Sequence, residues 1–303
     1  MQARSLVVAE QPGRGMLLGA IGVFIFAVTI PMTRLAIGHG DAPQLDPLFV
    51  TTGRAAVAGL LSALYLRFTG APWPTRRQAW GLFLTGLGVV FGFPLFLALA
   101  VREVDAVHAS VISGVLPLAT AAVAALVLRQ RPSIGFWACA LLGLALVLAF
   151  AWWRGAAGFQ AADGLLMLAV ISAAGGYVSG AGLSRQMSAE QVICWVLVMY
   201  LPLTAPLALL NRPDHEVSLA AWSAFAYVSL FSMWIGFFAW YRGLAIGGTL
   251  RVSQVQVIQP FLSMLLAVPL LGEELDAMTL VFALAVIAVV WIGKRMPVEQ
   301  KAR

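Results

Sequence analysis

The sequence predicts an all-α integral membrane fold, in which ten transmembrane helices form two inverted five-helix repeats around a central cavity. Three observations lead there. Hydrophobic residues make up 61% of the 303 positions and charged residues 11%, and the apolar residues gather into runs of about 18 or more, the length a helix needs to cross a bilayer. The stretches from Phe91 to Trp153 and from Trp234 to Arg295 follow one pattern at an offset of 143 residues, the separation of Pro117 and Pro260. Five runs per half is an odd number, so the second copy must enter the membrane from the opposite face to the first.

The runs lie at 16–37, 48–66, 79–101, 107–128, 134–153, 164–183, 191–210, 219–241, 252–271 and 277–293. They are continuous and fully apolar, whereas barrel strands would alternate over about ten residues, so helices are expected. The first run is too long for a signal-peptide core and has no small-residue cleavage pattern after it, so it is expected to remain as a span. Within the duplication Ser110 falls on Ser253, Ser113 on Gln256, Pro117 on Pro260 and Thr120 on Ser263. Each copy ends in a Leu followed by a polar turn, Leu128-Arg129-Gln130-Arg131 and Leu271-Gly272-Glu273-Glu274. Two units are expected, 1–155 and 156–303, joined through Gly155-Ala156-Ala157-Gly158.

With the N-terminus placed inside, 14 of the 19 Lys and Arg residues fall on the cytoplasmic side, leaving Arg34, Arg54, Arg102, Arg154 and Arg212. That bias follows the positive-inside rule and predicts a multi-pass protein of the cytoplasmic (inner) membrane with both termini cytoplasmic. The net charge of +6 is then a mark of topology, and no nucleic-acid partner is expected. Cys139 and Cys194 lie inside runs and read as packing residues. No metal or cofactor is expected.

Interior prolines remove a donor from the helix ladder, which marks Pro31, Pro94, Pro117 and Pro260 as hinge or gating candidates, with Pro202, Pro206 and Pro269 as further breaks. Gly176 and Gly180 have the small-xxx-small spacing that lets two helix backbones approach, as packing or as a sliding surface.

On the ninth run Ser253, Gln256, Gln259, Pro260 and Ser263 occupy a sector of about 120° at about 100° per residue. Mid-membrane glutamines are costly to expose to lipid, so this stripe is expected to face a cavity or another helix. Ser110, Ser113, Pro117 and Thr120 form the matching stripe on the fourth run. On the eighth, Tyr227, Phe231, Trp234, Phe238 and Tyr241 make an aromatic seam, which reads either as packing or as a stacking wall centred on Trp234 and completed by Phe26, Phe91 and Tyr177. Arg54 lies about two turns inside the membrane and needs a partner, either Asp46 or Asp41 at the outer end or an anionic group of a substrate. His108, at the mouth of the fourth run, is a candidate pH-sensitive group.

The ten spans, the duplication, the small polar residues leading to a Pro, the thirteen-residue step from Pro260 to Glu273 and the Leu271-Gly272-Glu273 turn resemble the drug/metabolite transporter superfamily, in its EamA-type ten-helix form. The run Phe238-Ala239-Trp240-Tyr241-Arg242-Gly243-Leu244-Ala245 and the later Ser253-Gln254-Val255-Gln256 are similar to that family as well. The first copy departs from it, with Arg129-Gln130 where Gly-Glu is usual. The resemblance implies a secondary transporter or facilitator of small organic metabolites, of the aromatic amino-acid exporter kind, and an Arg near the position of Arg54.

No run carries Asp or Glu at its centre, so facilitated rather than proton-coupled transport is expected, and no catalytic motif suggests an enzyme. The expected partners are a small-molecule substrate and membrane lipid, with the chain acting as a monomer. An exporter of amphipathic cations or drugs, and a membrane receptor or scaffold, are the alternative readings.

Overall fold

A computed structural model describes residues 12–127, 131–154, 160–184, 186–247, 252, 254–296 and 298–299. Ten apolar helices run through it. Eight are 20 to 25 residues long: Gly13–Ile37, Pro47–Thr69, Arg76–Ala100, Ala106–Val127, Ile134–Trp153, Ala161–Leu183, Ala189–Leu210 and Leu219–Gly243, called spans 1 to 8. Spans 9 and 10, Val255–Leu271 and Ala277–Gly293, are shorter apolar helices. A helix of about 20 residues reaches about 30 Å, the thickness of the hydrocarbon layer.

Several spans begin a few residues ahead of the apolar run because polar residues cap them. Asp46 Oδ1 accepts from the Leu48 and Phe49 amides at 2.7 and 3.3 Å, with Pro47 following it. Thr75 and Gln78 close a reciprocal capping box ahead of span 3. Gln160 and Asp163 do so for span 6, and Asp276 takes the Thr279 amide at 2.8 Å for span 10. Each satisfies amides at a helix start that have no intrahelical acceptor.

The packing repeats when the halves are exchanged. Span 1 lies on span 8 as span 3 lies on span 6, and spans 2 and 7, 4 and 9, and 5 and 10 pair with their own counterparts. The irregularities repeat too. Span 3 contains a π-helical stretch, Leu87–Gly92, and span 8 another, Val228–Ile235. Span 4 breaks between Ser113 and Leu116, and span 9 begins as a 3₁₀ turn, Gln254–Ile258. Pro117 is the second residue of the helix that follows the first break and Pro260 the second residue after the other. A proline cannot donate back to the fourth residue before it, so the Ser113 and Gln256 carbonyls lose their usual partners at matching places. The break in span 1 at Val28, just before Pro31, has no counterpart in span 6, which is continuous from Ala161 to Leu183. Pro94 follows the π-helical stretch of span 3 directly.

Lipid offers no hydrophobic drive between helices, so contact depends on close fit. At Gly88 an added Cβ would lie 2.4 Å from the Ser172 carbonyl oxygen, and at Gly176 it would lie 2.7 Å from Val89 Cγ1, so spans 3 and 6 touch backbone to backbone. At Gly180 the missing side chain leaves room for the Tyr241 hydroxyl, 2.6 Å from where a Cβ would stand.

Candidate functional site

Seven spans converge on a central cavity. Its polar wall holds Thr29, Arg54, Ser113, Tyr177, Ser232 and Gln259, and its aromatic wall holds Phe26, Phe93 and Phe237. The space is about 30 Å³, enough for one or two waters. A metabolite would require the walls to separate. A larger cleft of about 400 Å³ lies between spans 1 and 9, lined by Ala20, Ile21, Val23, Phe24, Val255, Ile258 and Leu262. Among the described residues that line it none has a polar side chain to orient a solute, so the central cavity is the stronger candidate despite its smaller size.

Arg54 is 3% exposed. Its Nη2 donates to Ser232 Oγ at 2.9 Å, and Ser232 Oγ lies 2.8 Å from Thr29 Oγ1, a hydroxyl chain joining spans 2, 8 and 1. Its Nε has no partner among the described residues. Neither carboxylate expected from the sequence reaches it: Asp46 is engaged in capping its own helix, and Asp41 is exposed beside His39 at 3.3 Å. An N-cap is the better place for Asp46, because a carboxylate there meets free amides and the positive end of the helix dipole.

Ser113 lines the cavity, while Ser110 donates to the Ala106 carbonyl at 2.6 Å and its Oγ lies 2.9 Å from the Ser263 hydroxyl, which can donate to it, tying spans 4 and 9 together. Gln259 faces the cavity with an unpartnered Oε1. Gln256 is buried, outside the cavity lining, with an unpartnered Nε2. Ser253 lies outside the described residues.

The aromatic residues sit differently from a simple helical seam. Phe237 reaches the cavity wall, 5.1 Å from Phe26 and 6.5 Å from Tyr177 between ring centroids. Trp234 instead packs on Phe238 at 5.2 Å, Phe238 on Tyr65 at 5.2 Å, and Phe231 is exposed. Tyr241 is buried against Phe237 at 5.4 Å. In span 3 Phe93 faces the cavity, and Phe91 packs on Tyr200 at 5.6 Å. The cause is common to both spans: a π-helical stretch places extra residues in a turn and rotates everything beyond it relative to α-helical spacing.

At the end of the bundle where spans 3 and 4 meet, a buried polar cluster ties the helix ends together. Glu273 accepts the Ala106 and Val107 amides at 2.8 and 2.7 Å, capping span 4 from across the molecule. Burial pushes its carboxyl above the ordinary carboxylate range, against the pull of those two amides. Arg34 donates to the Val101 carbonyl and lies 3.7 Å from Asp105. His108 Nε2 stands 2.6 Å from Asp163 Oδ1, joining spans 4 and 6. Asp163 is itself completely buried. The opposite end is tied more loosely, by Arg242 and Glu190 at 3.7 Å.

The EamA-like transporter family matches the chain twice, at residues 13–153 and 160–293. The uncharacterized transporter YdeK of Bacillus subtilis is 41% identical over 283 residues, covering 93% of this chain and 97% of that protein. The uncharacterized transporter sll0355 of Synechocystis is 25% identical over 294 residues, covering 89% and 88%. A solved crystal structure superposes with a TM-score of 0.63 at 20% identity over 93% of this chain and 98% of that one, a likeness of fold. Two matched copies of one membrane unit, ten apolar helices and a polar cavity at their meeting place agree: the chain belongs to the EamA-like transporter family.

Proposed function

We propose that this transporter moves small organic solutes bearing a carboxylate, with aromatic and other neutral amino acids the members that the family resemblance brings forward. Transport runs outward across the cytoplasmic membrane by alternating access, with both termini inside and with residues 1–155 and 156–303 as the two moving units. The observation that carries the reading is Arg54, a fully buried guanidinium in the cavity with no carboxylate partner among the described residues. An unpaired buried charge is costly, and a substrate carboxylate docking on it in the two-pronged manner guanidinium favours would offset that cost. The same charge repels an amphipathic cation, which argues against a cation or drug exporter.

Around Arg54, we assign Ser113, Tyr177, Gln256 and Gln259 to hydrogen bonding and Phe26 and Phe237 to the apolar part of the solute. Phe91, Ser110, Trp234, Phe238 and Tyr241 support that wall from behind. Pro31, Pro94, Pro117 and Pro260, with Gly176 and Gly180, provide the hinge and sliding points between the two access states. The test is uptake of labelled amino acids and organic acids into proteoliposomes, with competition by amines. Transport inhibited by carboxylates and untouched by amines is expected; inhibition by amines alone would defeat the reading.

A further inference from the structure

Among the described residues, the cavity wall holds a positive charge, Arg54, with no negative one to balance it. Of the 13 acidic residues, none falls in the central turns of a span. Asp163, the carboxylate buried most deeply among the described residues, is held by His108 and the Gln160 amide at the end of the bundle. Tyr177 lines the cavity together with Arg54, and its phenol is a neutral side chain that offers no counter-charge. The cavity also has hydrogen-bond donors to spare. Arg54 Nε is unpartnered, Tyr177 and Ser113 contribute hydroxyls, and the Gln259 amide can turn its NH₂ edge inward.

A zwitterionic amino acid would bring its carboxylate to Arg54 and its ammonium into the same small space. The ammonium would find one positive charge, neutral acceptors and no carboxylate. An ion taken out of water needs an opposite charge to offset its lost hydration, and neutral oxygens do this only in part. A monocarboxylate without the ammonium neutralises the cavity and fills it with acceptors and an apolar body.

Resting on the reading of Arg54 as a carboxylate site, we propose that the preferred substrates are organic monoanions lacking an ammonium group, such as 2-oxo acids and arylalkanoic acids, and that each transport event moves one negative charge. The membrane potential, negative inside, would then drive efflux of such an anion with no coupled proton. That fits spans whose centres carry no carboxylate.

The experiment uses the full-length protein in liposomes with potassium tenfold higher outside and valinomycin present, which makes the interior positive. Labelled 3-phenylpropionate and labelled phenylalanine are followed to steady state, with protein-free liposomes subtracted. The charge-moving uniport predicts accumulation of phenylpropionate approaching about tenfold, since a monovalent anion balances the same gradient as the potassium ion that sets the potential. Phenylalanine should enter more slowly and stop at equal concentrations. Arg54→Gln should abolish the anion flux and Arg54→Lys, which keeps the charge, should retain part of it.

Faster phenylalanine uptake with no phenylpropionate flux would overturn the preference while leaving a carboxylate transporter standing. Phenylpropionate accumulation that follows a pH gradient and ignores the potential would overturn the charge-moving step. Flux of both solutes undiminished in Arg54→Gln, or flux of phenethylamine alone, would defeat the underlying carboxylate reading as well.

Discussion

Arg54 and Ser232 meet at 2.9 Å across spans 2 and 8, and this hydroxyl is the one side-chain partner the guanidinium has among the described residues. A single neutral bond leaves most of the charge uncompensated, and the proposed reading, in which that charge awaits a solute carboxylate, makes the residue dispensable for folding. This separates stability from function in a measurable way.

Arg54→Leu should raise or leave unchanged the melting temperature of the protein in lipid, because replacing an uncompensated buried charge by an apolar side chain is often neutral or stabilising. The same variant should lose transport by about tenfold or more, since a hydrogen bond to a charged group contributes about 1.5–3 kcal/mol and about 1.4 kcal/mol is a factor of ten. Thermal unfolding and initial uptake rates on one preparation check both halves. A large fall in melting temperature would make Arg54 a structural residue.

Gln259→Leu should reduce transport more than Gln256→Leu, because Gln259 lines the cavity and Gln256 does not. Both variants should express and unfold as the parent does, each amide having one unpartnered atom already. Equal uptake by Gln259→Leu would remove this amide from the solute path.

Glu273 links the turn after span 9 to the start of span 4, and two backbone amides depend on it. Glu273→Ala leaves both without that acceptor, at about 1–3 kcal/mol for each that stays buried and unsatisfied. A lower melting temperature and a faster opening of this end, seen as increased labelling of a cysteine introduced at Ser110, are expected. The carboxyl of Glu273 is raised by burial, so the native state holds its proton at a pH where the unfolded chain has lost it. Its contribution is therefore present below the unfolded value and declines as pH rises through the native one. Glu273→Gln should remove that slope from a plot of stability against pH.

Much of this architecture is legible in the sequence because lipid leaves little choice: long apolar runs must be helices, and an odd number per repeat forces inversion. The matched breaks at Pro117 and Pro260 could be read directly, since a missing N–H is a property of the residue itself. Arg54 stood out for the same reason, but its partner did not, because Asp46 can satisfy a helix start or an ion pair and only the fold decides which. The burial of Asp163 is not legible, because a carboxylate at a helix start reads equally as an exposed cap and only the fold brings His108 against it. The aromatic faces were the least legible. Phe237 and Trp234 exchange places relative to an α-helical wheel because the ladder widens between Val228 and Ile235, and no side-chain period announces that change.

That exchange gives the last prediction. If Phe237 forms the aromatic wall, Phe237→Ala should weaken transport of aromatic solutes more than of small aliphatic ones. A stacked or edge-on aromatic pair contributes about 0.5–1.5 kcal/mol beyond its buried area, which is a roughly two- to twelvefold change in selectivity at about 1.4 kcal/mol per factor of ten. Trp234→Ala removes packing against Phe238, away from the cavity, and should change overall activity with little effect on the ratio. The measurement is paired influx of an aromatic and an aliphatic carboxylate, matched in charge, into liposomes of equal protein density. A ratio that moves with Trp234 and not with Phe237 would mean that the transporting state rotates span 8 back to a continuous α-helix, since only that rotation turns Trp234 inward. Introducing cysteines at both positions and comparing their accessibility with and without solute would then show the rotation itself.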